Sequence, residues 1–187
     1  MNPDHDSAGT GHETSPEALR VLIHHLFTSP GHNFYGHHGK PPGEHEIVSH
    51  EAIELVAGRG IPGDRFFDYR DDFKGQLTFI DLAVVEDIRA YADNPELPAS
   101  AFRRNVVVSG VALNDWIGKR FKVNGVLLEG SEHCKPCYWM DQACGREGTE
   151  DLMENRGGLR CRIVESGTLT LGEATWIAEE TGEEVPV

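Results

Sequence analysis

The strongest constraint on this chain is a punctuated succession of short apolar runs: IVSHEAIELVA, QLTFID, RNVVVSG, RFKVN, VLLEG, LRCRIVE and TLTLGEATWI. They are rich in β-branched and aromatic residues and are bounded by Gly, Pro, Asn or Asp, the pattern of strands joined by tight connections. The earlier run RVLIHHLFTS, which stops at Pro30-Gly31, reads as another strand. Asn124-Gly125, between RFKV and VLLEG, predicts a two-residue hairpin because both residue types tolerate the positive φ such turns require. Ser166-Gly167 predicts a second. One stretch has a clear helical period: Asp81 can cap LAVVEDIRAYAD, Val84, Val85, Ile88 and Tyr91 share a face, and Asn94-Pro95 ends it. A shorter helix is expected from Glu150 to Asn155, opened by Thr149 and closed by Gly157-Gly158. Many strands and few helices imply a mainly β, barrel-like fold with a few short peripheral helices.

The chain has 187 residues, enough for one domain with a substantial core, which we expect over residues 17–178 between acidic tails at 1–16 and 179–187. Residues 1–16 are polar without apolar periodicity and are expected to be disordered. They lack the apolar core of a secretory signal, and no apolar run reaches membrane-spanning length, so a soluble, cytoplasmic protein with no membrane contact is the expectation. The formal net charge is -14, yet all 17 basic residues and 21 of the 31 acidic ones fall between Arg20 and Arg162. That balance disfavours a nucleic-acid surface and leaves room for a local basic pocket that binds a small anion.

Three of the four cysteines lie in EHCKPCYWMDQAC. In a reducing compartment they are expected to be free, metal-bound or catalytic rather than paired. A structural zinc site drawn from Cys134, Cys137 and Cys144 would need a fourth ligand, and no second C-x2-C follows. His133, adjacent to Cys134 on an extended segment, points to the opposite face, and Cys161 alternates into the core of its own strand. A single working thiolate is the other reading. Pro136 fixes the backbone before Cys137, and a positively charged pocket would favour its ionised form, a soft ligand for thiophilic metals. Cys134 is then a resolving partner or a bystander. In the histidine-rich loop HNFYGHHGKPPGEHE, His32, His37, His38 and His45 could meet around one ion, or the loop is simply solvated.

The basic residues point more firmly to a ligand. Arg103-Arg104-Asn105 immediately precede the apolar run VVVSG, and guanidinium forks match phosphate geometry, although one arginine facing solvent and one paired with a carboxylate would explain the pattern equally. Pro62-Gly63 makes a turn that sets Asp64 and Arg65. In KGQLT, Gln76 and Thr78 share one face of a strand, either toward a ligand or toward solvent.

In order along the chain, IPGDRFF, KGQLTFI, FRRNVVVSGVALNDWIGKRFKVNGVLLEG, the Pro136-Cys137 pair and GGLRCRIVESGTLTLGEATW resemble the MOSC family, named for the C-terminal part of molybdenum-cofactor sulfurases, here in a standalone short form. The likeness spans about residues 20–177. It implies a mostly β, barrel-like fold, binding of the molybdenum cofactor (molybdopterin), and a functional cysteine at Cys137 that ligates molybdenum or carries sulfur to it. It also implies cofactor-binding roles for Gly63, Asp64, Arg65, Gln76, Thr78, Arg103, Arg104 and Asn105, with the arginines on the cofactor's phosphate or pterin edge. The sulfurases carry a separate pyridoxal-phosphate desulfurase domain that 187 residues leave no room for, so pyridoxal phosphate is not expected here. A sulfur carrier would need a partner cysteine desulfurase. A molybdenum-dependent reductase of N-hydroxylated compounds would need an electron-donor protein, and a zinc-stabilised, non-enzymatic binding module would need neither.

Overall fold

The computed structural model describes residues 18–33 and 41–179; the acidic tail at 1–16, His37 and His38 therefore lie outside the described residues. Strand β1 (Leu19–Thr28) is followed by β2 (Val48–His50), β3 (Ala52–Leu55) and β4 (Leu77–Asp81). Helix α1 (Leu82–Tyr91) and a 3-10 turn (Ala99–Phe102) then lead into β5 (Val106–Ser109). A second such turn (Leu113–Trp116) precedes β6 (Arg120–Val123) and β7 (Val126–His133). Helices α2 (Trp139–Cys144) and α3 (Thr149–Leu152) come before β8 (Leu159–Ile163), β9 (Gly167–Thr170) and β10 (Gly172–Ala178).

Among the described residues seven strands close into a barrel in the order β10-β6-β7-β8-β4-β5-β1, with β1 returning to β10; β2 extends β1, while β3 and β9 form a separate two-stranded ribbon. The fold is thus mainly β with short helices, as expected. Closure leaves the barrel strands no open edge. Asn124 and Gly125 have φ of 47° and 86° and turn β6 into β7 as the sequence predicts.

The β4–β5 pair is parallel, unlike its neighbours in the barrel, and α1 is its crossover. Asp81 caps α1 by accepting from the Ala83 N–H at 2.9 Å. Val84, Val85 and Ile88 are buried by α1, whereas Tyr91 at its end is 39% exposed and donates its hydroxyl to the Glu147 carbonyl instead. This packing explains why LTFI and VVV do not alternate between apolar and exposed polar residues. Leu77, Phe79, Val106 and Val108 fill the barrel interior with Phe121 and Trp176. Ile80 and Val107 face outward into a second core with α1, Phe27, Phe102, Met140 and Met153.

Four expectations are corrected. IVSHEAIELVA is two strands, because β2 pairs with β1 while β3 joins β9. TLTLGEATWI also divides, between the ribbon and the barrel, at Leu171 and Gly172, where φ reaches 103°. Ser166-Gly167 is therefore no hairpin turn, since β8 does not pair with β9 and Gly167 itself pairs with Leu55. The short helix ends at Leu152 and is entered from Gly148; the Thr149 hydroxyl donates back to the Arg146 carbonyl rather than capping the helix. Helix α2 was not anticipated, its sequence being too short to establish a period.

Candidate functional site

Asp64-Arg65, Arg103-Arg104-Asn105 and Cys137 come from three separate stretches of the chain. The turn holding Gly63 (φ 82°) is closed by the Asp64 N–H donating to the Ile61 carbonyl, which presents Asp64 and Arg65. Arg103 ends the 3-10 turn before β5 in left-handed conformation, φ 59°. The Cys134–Cys137 stretch leaves β7 and enters α2.

Asp64 and Asn105 form the buried framework. The Asp64 carboxylate accepts from the Ser29 N–H (3.2 Å), the Phe66 N–H (3.1 Å) and the Asn105 amide (3.3 Å). The other hydrogen of that amide serves the Phe27 carbonyl, and the Asn105 side-chain oxygen accepts from both the N–H and hydroxyl of Thr78. Thr78 is thus buried and faces no solvent. Gln76 is also buried, but in another place: its amide donates to the Gly58 carbonyl and its oxygen accepts from the Ile163 N–H. Every one of these groups is held by protein partners, which makes them a scaffold for the residues beside them.

Three guanidinium groups lie on that scaffold. Arg104 is anchored, donating to the carbonyls of Gly157 (2.7 Å), Phe102 (2.9 Å) and Cys134 (3.4 Å), and so ties the segment before β5 to the cysteine segment. Arg65 stacks on Phe66, donates to the Arg103 carbonyl at 3.3 Å and makes a long 3.5 Å pair with Asp64. Its buried Nε has no hydrogen-bond partner among the described residues. Burial pushes the Arg103 guanidinium down to about 10, and the charges of Arg65 and Arg104 push the same way against Cys137 and Asp64. Burial also lowers Arg65, with Asp64 opposing. An arginine keeps its proton at neutral pH, so the crowding favours an incoming anion. Between Arg65, Arg103, Asn105, Ser29 and Asn33 is a cavity of about 10 Å³, room for about one water-sized group.

All four cysteines are free, and Cys137 alone among them is exposed. Cys161 is fully buried in the barrel, where desolvation holds its thiol well above the usual range; burial pushes Cys144 up to about 11. Among the described residues no three of His, Cys, Asp and Glu are grouped to hold a metal ion. This corrects the zinc site of Cys134, Cys137 and Cys144, whose third member is buried in the second core beside α1. His32 and His45 form no metal cluster with other described residues either; His45 packs its ring against Gly31.

Sequence reasoning missed Ser29, whose N–H holds Asp64 and whose carbonyl accepts from the Arg65 N–H at 2.7 Å. Pro30-Gly31 marked only the end of a strand, and nothing local signals a partner 35 residues away.

A model of the MOSC domain matches residues 36–175. No curated protein matches the sequence. Among solved structures, the YuaD protein from Bacillus subtilis superposes with a TM-score of 0.70 at 15% identity, over 88% of this chain and 98% of that one. YiiM from Escherichia coli gives 0.58 at 18% identity over 88% and 71%, and YiiM from Geobacillus stearothermophilus 0.61 at 13% over 88% and 77%. At these identities the likeness is one of fold.

Proposed function

This chain belongs to the MOSC domain family, and from that premise we propose that it binds the molybdenum cofactor, with Cys137 as the thiolate that ligates the metal or carries sulfur to it. The observation behind this reading is one juxtaposition: Arg104, next to Arg103, hydrogen-bonds to the Cys134 carbonyl in the segment that carries the exposed Cys137, and burial and the charges of Arg65 and Arg104 crowd Arg103. The residues fit such a group. A buried guanidinium nitrogen with no partner among the described residues and a surplus of positive charge suit a phosphate or pterin edge, and an exposed cysteine suits a soft metal.

When bound, the molybdenum centre would supply oxygen- or sulfur-transfer chemistry. Arg65 and Arg103 are the groups that would hold its anionic end. Arg104 is committed to three carbonyls, one of them that of Cys134 in the segment that carries Cys137. Gly63, Asp64, Thr78 and Asn105 position the arginines, and Gln76 secures the neighbouring loop. Pro136 restrains the chain before Cys137, so the thiolate is presented at a defined place.

In the carrier form of this reading, a partner cysteine desulfurase loads Cys137 as a persulfide. In the alternative, a molybdenum-dependent reductase of N-hydroxylated compounds, Cys137 stays a permanent ligand and a partner protein supplies electrons. A cytoplasmic location accords with four free cysteines.

The test is reconstitution with molybdenum cofactor followed by metal and pterin analysis. Cys137→Ser is expected to abolish molybdenum retention and Cys144→Ser to leave it nearly intact; equal losses would count against the assignment. Cyanide-releasable sulfur on the loaded protein indicates the carrier, and reduction of an N-hydroxylated base indicates the reductase.

A further inference from the structure

We propose that the small cavity lined by Arg65 and Arg103 is a site for one monatomic anion of the halide class, chloride before others. It goes beyond the cofactor reading and does not rest on it, because it concerns an ion that the chain takes up alone.

The cavity lining contains three arginines, Arg65, Arg103 and Arg104, and no carboxylate. Asp64 lies outside the lining with its side chain 1% exposed, and its charge is already shared among the N–H groups of Ser29 and Phe66 and the Asn105 amide. Its pair with Arg65 is long, at 3.5 Å. Arg104 contributes charge, while each of its guanidinium nitrogens already donates to a carbonyl. Arg65 is different. Its side chain is 9% exposed; one terminal nitrogen donates toward Asp64 and the other to the Arg103 carbonyl, but its buried Nε has no partner among the described residues. A buried charged donor without an acceptor is costly, and a bound ion or water is what ordinarily relieves it.

Size and charge together select the ligand. A cavity of about 10 Å³ takes about one water, whose share of the liquid is about 30 Å³, and a chloride ion is of that order. A tetrahedral oxyanion could insert no more than one of its oxygens. Water would satisfy the Nε hydrogen yet leave the positive charges of the lining facing one another, whereas a halide does both. Phe27 and Ile47 belong to the same lining, and such apolar walls strengthen the attraction between a small anion and a guanidinium.

The probe is sodium chloride, added to the full chain and followed by the chlorine NMR line width, with gluconate keeping the ionic strength constant. Saturable broadening is expected, with bromide displacing chloride more effectively than sulfate does. Arg65→Lys keeps the charge but lacks the Nε donor, and is expected to bind chloride about tenfold more weakly, the loss of one hydrogen bond to a charged group. Arg20→Gln, which alters an exposed arginine of β1, should bind as the parent does. If Arg65→Lys does not fold, Arg103→Lys supplies the same comparison and the displacement order on the parent chain a second. Broadening that does not saturate would mean that water satisfies Arg65, and would overturn the inference. Undiminished binding in the folded lysine variant, or sulfate displacing chloride as well as bromide does, would overturn it equally.

Discussion

Asn105 uses both ends of its amide and its backbone N–H, a combination that only an amide side chain offers at one buried point. Replacing it with alanine strips a donor from the buried Asp64 carboxylate and from the Phe27 carbonyl, and an acceptor from Thr78. Asn105→Ala is therefore expected to cost about 3 kcal/mol of stability in chemical denaturation and, under the proposed function, to weaken cofactor retention through displacement of Arg65 and Arg103. Thr78→Val, which removes one hydroxyl, should cost less. The motifs Gly-Asp-Arg, Gln-x-Thr and Arg-Arg-Asn could be picked out from the chain, but the division of labour within them could not. Asp64, Thr78 and Asn105 turn inward and satisfy one another, while Arg65 keeps a nitrogen with no partner among the described residues; which of these a residue does depends on neighbours brought from elsewhere.

The β4–α1–β5 unit shows how far local pattern reaches. Its strands, its helix, the capping role of Asp81 and the burial of Val84, Val85 and Ile88 all follow from spacing and residue type. The splitting of IVSHEAIELVA and TLTLGEATWI does not, because each run is uniformly strand-like and only its partners differ between halves. Turns separate in the same way. Gly125 lies at φ 86° with open space around it, so Gly125→Ala should cost only about 1 kcal/mol, from backbone strain. Gly158 lies at φ 111°, and a Cβ there would overlap the Phe79 carbonyl oxygen of the adjoining strand. Gly158→Ala should cost at least about 2 kcal/mol more and disturb Cys134, whose N–H donates to the Gly158 carbonyl. Paired thermal melts of the two variants would check the difference.

For the whole molecule the decisive event is closure of the barrel. Strand β10 joins β1 to β6 and delivers Trp176, fully buried, into a stack on Phe121 with centroids 4.3 Å apart. Trp176→Ala removes the largest side chain of this core and is expected to cost about 4 kcal/mol, lowering the melting temperature by roughly 10 °C. A much smaller loss would mean the interior collapses around the gap. No helix among the described residues is long and apolar enough to cross a membrane. The short strands, turn residues and lone amphipathic helix were enough for the chain alone to determine a mainly β barrel, since these depend on periodicity and backbone preference within a few residues. The site was decided by the tertiary structure. Arg104 must span from the start of β5 to the carbonyls of Gly157 and Cys134 before the segment that carries Cys137 is tied to that of Arg103. Burial and charge crowding act through space, so they come into being only when segments distant in sequence are packed together.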